Sequence, residues 1–278
     1  MKTIRTWSMA IATSALLTYG LLSCTKSKNE VNPEDTETTQ SNEVIQDDQS
    51  AQNANDELDN MSEDLFDENG LNQRLYTEPC VKITKEANKI TFDFGTDGCK
   101  VKGRTRKGKM IIEYTGKYRI AGSIFTFTFD NYTVDGRKIE GTRVVTNKGN
   151  NTYEIKATNM KITFPDGSFS TWSSTRTRIW DTKGTPLNFN DDELKIYGTA
   201  DGVGRNKKAY TAVVDAAKPL IIKLSCAATD RIFLPVSGEL VVTMEKKKRT
   251  INYGNGECDK VVTVTLEGGA AISLELKQ

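Results

Sequence analysis

The chain has 278 residues, with 38 Lys and Arg, 37 Asp and Glu, five Cys and no His. Its formal net charge of +1 combines two unlike parts: residues 30–73 carry 14 acidic and no basic side chains, whereas residues 74–278 carry 34 basic and 23 acidic ones. The absence of His excludes a Ser-His-Asp triad, a Cys-His pair, a His-ligated zinc and an imidazole general base.

The first 23 residues have the pattern of a secretory signal. Lys2 and Arg5 form a short basic start, and residues 6–22 are apolar or small and uncharged. This segment is too short, and too closely followed by polar sequence, for a typical membrane-spanning helix. It ends in Leu-Leu-Ser-Cys at residues 21–24, which resembles the lipobox of bacterial lipoproteins.

The lipobox resemblance implies cleavage before Cys24, a thioether-linked diacylglycerol on that residue and an acylated amino terminus. Several acyl chains hold a protein on a membrane far more firmly than one chain. The alternative is a plain cleaved signal with an incidental Cys. Thr25 follows the Cys, and by the enterobacterial sorting pattern this favours the outer membrane. The pattern leaves open whether the protein faces the periplasm or the exterior.

Residues 24–75 are predicted to be a disordered acidic linker behind the lipidated residue. They are rich in Asp, Glu, Asn, Gln, Ser and Thr, with too few apolar side chains for a core. A flexible chain of about 50 residues has a mean end-to-end distance of about 35–42 Å. The linker would therefore display the following domain away from the lipid surface.

Residues 76–278 are predicted to form an all-β domain. Residues 123–129 alternate most clearly, with Phe125, Phe127 and Phe129 on one face, and residues 153–164 alternate more loosely. Runs rich in β-branched residues occur at 240–244 and 261–266. Turn sequences such as Asp-Gly and Gly-Gly separate these runs, which favours an antiparallel meander of roughly 13–15 strands. No convincing amphipathic helix follows residue 76.

So many strands in an open sheet would curl or split, so we expect a sandwich, a half-barrel or two stacked β-units. A candidate break at residues 181–192 would divide the domain into halves at 76–185 and 186–278. Residues 240–259 align without a gap over residues 81–100, with five identities that include Cys99 and Cys258. This similarity indicates either two related hairpins or a chance match among β sequences.

Four cysteines remain besides Cys24: Cys80, Cys99, Cys226 and Cys258. An even number in an exported protein suggests disulfides, and three pairings are open. We favour Cys80–Cys99 and Cys226–Cys258, one in each half. The alternative of a thiolate metal site is disfavoured because CxxC spacing and His are both missing. We expect no metal and no cofactor.

Two groups of residues are candidate ligand sites. Lys100, Lys102, Arg104 and Arg106 alternate, so on one strand they would share a face about 6.6–6.8 Å apart. Such a row suits a polyanion, such as anionic lipid, acidic polysaccharide or, least expected here, nucleic acid. The alternatives are a solvated strand face, an edge kept charged against aggregation, or a surface on which the acidic linker lies.

The second group is Trp172, Ser174, Arg176, Arg178 and Trp180, which also alternate. Two indoles beside two guanidinium groups are suited to stacking sugars or holding an anionic glycan. Alternatively, the indoles cover the sheet and the arginine stems pack between them.

The best acidic cluster is Asp191, Asp192 and Glu193. Paired carboxylates serve glycoside hydrolysis when they lie about 5–9.5 Å apart across a substrate, a separation that adjacent loop residues do not predict. Loop solvation or weak calcium binding is the simpler interpretation of this cluster.

The whole layout resembles the β-rich envelope lipoproteins of Bacteroidota-type genomes, with similar segments at residues 93–99, 138–143 and 252–259. The resemblance supports the fold and implies no catalytic residues. We therefore expect a membrane-anchored binding or structural module for anionic glycan or lipid. The alternative is a glycan hydrolase that uses carboxylates.

Overall fold

The fold was examined in a computed structural model, which describes residues 66–67, 70–71, 78–101, 103–185, 188–229, 232, 234–269 and 271–276. The predicted signal segment, Cys24, most of the linker and Lys102 lie outside these residues. Within the predicted linker, the described residues form a small antiparallel hairpin in which Phe66 pairs with Leu71.

The described part of the chain contains 17 strands and one short helix. The strands are β1 (Phe66–Asp67), β2 (Gly70–Leu71), β3 (Lys82–Glu86), β4 (Lys89–Asp93), β5 (Cys99–Val101), β6 (Arg104–Tyr114), β7 (Ile124–Val134), β8 (Arg137–Gly149), β9 (Thr152–Thr163), β10 (Phe169–Asp181), β11 (Glu193–Val203), β12 (Ala209–Val214), β13 (Leu220–Lys223), β14 (Ser237–Met244), β15 (Lys247–Asn255), β16 (Val261–Leu266) and β17 (Ala271–Glu275). The helix is α1 (Leu224–Thr229), and a 3-10 turn covers Phe189–Asp191.

Fifteen strands, from β3 to β17, form one antiparallel sheet, so the predicted all-β meander is confirmed. Sequential strands are neighbours along most of the sheet, which runs from β3 at one edge to β17 at the other. Two short strands leave this path: β5 pairs only with β6, and β13 pairs with β11 and β14. Hydrogen bonding therefore continues without interruption between the two edges.

Strand alternation places one face of the sheet inside. On β7, Phe125 and Phe127 are buried, as the sequence pattern predicts. The looser alternation of β9 has a local cause, because Thr158 and Asn159 are both exposed at a bulge opposite Gly141. Gly141 has a φ of +117°, and a Cβ atom there would lie 2.7 Å from the Asn159 carbonyl oxygen. Only glycine fits this approach without a shift of the backbone.

The core consists of two apolar clusters along the one sheet. The first extends from Ile90 to Trp172, and the second from Ala200 to Leu276. The predicted break at residues 181–192 is the connection between β10 and β11. These two strands nevertheless pair over eleven positions, from Thr171 with Val203 to Asp181 with Glu193. The halves thus have separate apolar clusters and a shared set of backbone hydrogen bonds.

The aligned segments 81–100 and 240–259 are the hairpins β3–β4 and β14–β15. Both have two-residue turns, since Glu86 pairs with Lys89 and Met244 pairs with Lys247. The second turn comes one residue earlier than the ungapped alignment requires. The buried phase of the second strand is the same in both hairpins, as Phe92 and its counterpart Ile251 are both buried.

Both favoured disulfides, Cys80–Cys99 and Cys226–Cys258, are present. The first joins the segment before β3 to the start of β5. The second joins α1 to the loop after β15, so this six-residue helix supplies one cysteine. The sequence does not predict this helix, because six residues are too few to show an apolar period.

Candidate functional site

The alternating residues from Trp172 to Trp180 share one face of β10, and that face points into the molecule. Trp172 is 3% exposed, Arg176 8% and Arg178 1%, whereas Trp180 is partly buried. Strand β10 lies near the middle of the sheet, between β9 and β11. Strand β10 thus contributes two indoles and two guanidinium groups to an interior surface.

One half of this face is bonded within the protein. Arg178 donates a hydrogen bond from Nη2 to the Tyr118 hydroxyl at 2.9 Å, and its guanidinium lies 5.0 Å from the ring centre of Tyr153. Tyr118 belongs to the loop between β6 and β7. The Asn147 amide holds that loop by donating to the Tyr118 carbonyl at 2.9 Å. The position of Arg178 is therefore fixed by the β6–β7 loop.

Trp180 is held in the same half. Its Nε1 donates to Asp192 Oδ2 at 2.5 Å, and the Arg119 guanidinium lies 5.3 Å from the indole centre. Asp192 is only 2% exposed. One carboxylate oxygen of Asp192 is thus bonded to the indole, whereas its Oδ1 has no hydrogen-bond partner among the described residues.

The other half of β10 has unused hydrogen-bonding capacity. Ser170 is 1% exposed, Trp172 3% and Ser174 8%. Within the described part of the chain, the hydroxyl oxygens of both serines and Nε1 of Trp172 have no hydrogen-bond partner. Buried polar atoms are nearly always hydrogen-bonded, so three such atoms on one strand face require an explanation.

Ser170 was not among the predicted site residues, although it continues the alternation of Trp172 and Ser174 by one step. Arg143 on β8 was also missed, and it is fully buried with its guanidinium 5.3 Å from the ring centre of Phe127. The sequence does contain one indication that Arg143 is buried. It lies two residues before Val145 on β8, so both side chains point to the same, buried face of the sheet.

The two buried arginines nearest the unused half approach it from different strands. Arg176 donates from Nη1 to the Gly198 carbonyl at 3.2 Å. Arg143 pairs in register with Ala157, which pairs with Ser174, so only an alanine separates Arg143 from Ser174 across the sheet. The interior surface around Ser174 therefore carries positive charge on both sides.

The predicted basic row is wrong in its geometry, because Lys100 and Arg106 do not lie on one strand. The chain turns back at Gly103, so that Lys100 on β5 pairs with Thr105 on β6. Arg106 is buried and donates from Nη1 to the Val101 carbonyl at 2.6 Å. Arg104 is exposed and lies 3.5 Å from Asp135. The fourth member, Lys102, is outside the described residues.

The three adjacent carboxylates point to different partners. Asp191 accepts hydrogen bonds from the Thr185 hydroxyl at 2.9 and 2.8 Å, and Glu193 pairs with Lys183 at 2.6 Å. Asp192 accepts from Trp180, as described above. Each carboxylate thus has a structural role in the β10–β11 connection. Among the described residues, no group of three or more His, Cys, Asp or Glu side chains is placed to hold a metal ion.

Neither a family model nor a curated protein nor a solved structure matches this chain. In the described ranges, no helix has the length and apolar character needed to cross a membrane.

Proposed function

We propose that the protein is a membrane-anchored cell-envelope lipoprotein whose β-domain is a non-enzymatic binding module for an anionic glycan or anionic lipid. The ligand binds along the interior face of β10, at Trp172 and Arg176. The anchor is the lipid on Cys24, and the acidic linker separates this anchor from the domain. Binding of this kind requires neither metal nor cofactor.

The observation that carries the proposal is the charge of the interior. Among the described residues, five arginines are buried and only one carboxylate, Asp192, is buried with them. The five are Arg106, Arg143, Arg176, Arg178 and Arg249. An opposite charge that enters such an interior is attracted more strongly than in water, because the low dielectric constant strengthens charge–charge interactions. An interior with this excess of guanidinium groups favours an anionic ligand over a neutral or cationic one.

The anchor is supported by the amino-terminal sequence alone. The uncharged segment 6–22 ends at Leu21, Leu22 and Ser23, followed by Cys24. The same chain then supplies a linker that is acidic and a domain in which basic residues exceed acidic ones. We propose the outer membrane as the site, with the lipid as the membrane partner.

A retention experiment tests the function. Immobilised acidic polysaccharide and vesicles that contain anionic lipid should retain the full-length chain in detergent, and neutral polysaccharide and neutral vesicles should not. Arg176→Gln should weaken retention, since a hydrogen bond to a charged group contributes about 1.5–3 kcal/mol. This corresponds to a decrease in affinity of about 10- to 150-fold.

Lys156→Gln is the matched control, because it removes the same charge from the exposed side of β9, where Lys156 pairs with Glu154 at 3.0 Å. The control should bind within about twofold of the wild type, as expected for an exposed ion pair. Thermal unfolding of both variants checks that each remains folded. If the wild-type chain is retained by no anionic surface, or equally by neutral ones, the proposed function is wrong.

A further inference from the structure

The two halves of the interior face of β10 differ in the bonding of their serine and tryptophan side chains. Arg178 and Trp180 are bonded to Tyr118 and Asp192. Ser170, Trp172 and Ser174 offer polar atoms without a hydrogen-bond partner in the described chain. A ligand gains most where it satisfies groups that the fold leaves unsatisfied, since those groups have already lost their contact with water.

We propose that the unused half is an oxyanion subsite, in which a carboxylate, sulfate or phosphate group of the ligand lies over Ser174 between Trp172 and Arg176. This assignment rests on the proposed function and specifies its ligand chemistry. The Trp172 indole and the Ser174 hydroxyl donate to the oxyanion, and Arg176 supplies the opposite charge. The ligand therefore carries a discrete oxyanion group, as uronic acids, sulfated sugars and phosphorylated headgroups do.

The side chains of the subsite are hydrogen-bond donors, so they favour a ligand group that accepts hydrogen bonds. Nε1 of Trp172 is a donor only, and the Arg176 guanidinium has donors and no acceptor. The Ser174 hydroxyl rotates to donate where an acceptor is available. Alternate residues of a strand are about 6.6–6.8 Å apart, so one oxyanion does not reach from Ser174 to Ser170. Ser170 instead meets a neighbouring polar group of the ligand, which favours a polar molecule longer than a single inorganic ion.

Small side chains flank Ser174 on the neighbouring strands. Ala157, Ser174, Ala200 and Ala212 are successive register partners on four neighbouring strands, β9 to β12. All four are buried, and their side chains are small. Four neighbouring strands span about 14–15 Å at the usual strand spacing. A row of small side chains therefore crosses the interior face of the sheet at Ser174, next to Trp172 and Arg176 on β10.

Cationic side chains lie at the end of the sheet where β10 begins. The guanidinium groups of Arg137 and Arg205 lie 5.6 and 4.5 Å from the ring centre of Phe164, and Lys161 Nζ lies 4.7 Å from that of Phe169. Asp166 is the acidic group in this turn, and its carboxylate accepts from Ser168 at 2.6 Å. Lys161 Nζ also lies 3.9 Å from Glu140 Oε2. These three cations outnumber the two carboxylates of Asp166 and Glu140, which makes this end attractive to an anion that approaches Ser170.

Indole NMR distinguishes the two halves of β10. Of the three tryptophans, Trp7 lies in the segment that the proposed cleavage before Cys24 removes, so selective 15N labelling of the mature chain gives one indole resonance each for Trp172 and Trp180. The labelled chain in detergent is titrated with glucuronate and, separately, with inorganic sulfate and phosphate. Glucose and chloride at matched ionic strength serve as controls. The Trp172 resonance should move with an oxyanion and remain fixed with either control.

Trp180 provides the internal reference, because its Nε1 is already bonded to Asp192. Its resonance should move by much less than that of Trp172. Trp172→Phe and Trp180→Phe assign the two signals, and Trp172→Phe should lose the oxyanion response. A shift confined to Trp180, or no Trp172 shift in a chain that anionic glycan retains, would overturn the subsite and leave the binding function standing. No retention and no shift would remove both proposals.

Ser174→Ala tests the subsite by affinity. The hydroxyl has no protein partner among the described residues, so its removal should leave the melting temperature of the ligand-free chain unchanged or raised. Glucuronate affinity should fall by about tenfold or more, the loss of a hydrogen bond to a charged group. Ser173→Ala is the matched control, because that hydroxyl accepts from the Asn159 backbone at 3.2 Å and should not affect binding.

The phosphate, sulfate and glucuronate arms separate the sources of the oxyanion. A response to glucuronate well above that to both inorganic ions identifies a sugar acid, and a response greatest for phosphate identifies a phosphorylated headgroup. Both results support the subsite. Equal affinity of Ser174→Ala and the wild type would show that the hydroxyl is bonded to buried water only, and the subsite would be wrong.

Discussion

Asp181, the last residue of β10, shows how strongly local partners act on a single group. Its carboxylate accepts from Lys195 Nζ at 2.7 Å and from the Lys183 backbone at 3.0 Å. The side-chain hydrogen bond from Lys195 is the largest cause, and together with the Lys183 backbone bond it lowers the pKa of Asp181 from 3.8 to about 2. Because the pKa of Asp181 is depressed in the folded state, its ionised carboxylate stabilises the fold at pH values above the ordinary pKa of Asp. This contribution to the free energy of unfolding is lost as the pH falls toward about 2.

We expect 13C NMR of the Asp181 carboxyl carbon to show a titration midpoint near the depressed pKa. Lys195→Ala should return the midpoint toward the ordinary value of Asp, which is about 3.9. Lys156→Ala is the control: its hydrogen bond is the largest cause that lowers the pKa of Glu154, so that pKa should rise and that of Asp181 should not. An unchanged Asp181 midpoint in Lys195→Ala would contradict the assigned cause.

At the same scale, the sequence predicted correctly which residues share a face of the strand, but it did not predict which face is buried. Alternation correctly placed Trp172, Arg176 and Arg178 together on β10. It did not predict that this face is interior, because arginine and tryptophan occur both on exposed ligand surfaces and in cores. It also missed Arg143, since a single arginine among β-branched residues has the pattern of an ordinary exposed strand position.

At the scale of the element, short hairpins are where alternation is misleading. The sequence from Lys100 to Arg106 alternates as one strand would, yet the chain reverses at Gly103, where φ is +81°. A lone glycine between basic residues does not by itself distinguish a turn from a continuous strand. The 13-residue strand β10 has no such interruption, and its alternation was interpreted correctly.

Removal of either disulfide should lower the free energy of unfolding by several kcal/mol. The Cys226–Cys258 bond closes a separation of 32 residues and Cys80–Cys99 one of 19. In the chain-entropy model, loops of these lengths stabilise the fold by about 3–4 kcal/mol each, with the longer loop contributing slightly more. Urea unfolding of Cys226→Ser/Cys258→Ser should show a loss of this size, and Cys80→Ser/Cys99→Ser a slightly smaller one.

The control is to alkylate the wild-type chain without reducing it and to measure its intact mass, which shows whether the four cysteines are bonded. The wild-type domain should gain no alkyl groups on these four cysteines, and full modification would refute both bonds. A loss of less than about 1 kcal/mol in either variant would mean that the unfolded chain is already constrained, or that the bond is strained in the native state.

At the scale of the whole molecule, the period of two predicted the fold class and left the sheet's continuity open. The strand runs and their turn sequences indicated an antiparallel meander, which is observed. They could not show that β10 and β11 join the two apolar clusters into one sheet, because that pairing depends on residues on both sides of a polar connection. The sequence also could not predict which polar atoms of β10 have no hydrogen-bond partner, since this depends on how the interior packs.

The proposed membrane anchor concerns the whole molecule, because acyl chains on Cys24 would determine where the β-domain meets a ligand. With Cys24 acylated, the full-length chain should enter the detergent phase on Triton X-114 separation and incorporate labelled palmitate. Each buried methylene contributes about 0.8 kcal/mol to membrane binding, so losing the chains should move the protein to the aqueous phase. Cys24→Ser should therefore lose both the label and the partitioning.

Thr25→Ala controls for a general effect of substitution at the start of the linker and should remain labelled. Because the predicted linker would separate Cys24 from the domain, Cys24→Ser should also keep the two disulfides and the Trp172 response to glucuronate. Continued palmitate labelling of Cys24→Ser would place the acyl chains on another residue. Loss of the Trp172 response in a folded Cys24→Ser protein would mean that the lipid takes part in binding, and the separation of anchor from site would have to be abandoned.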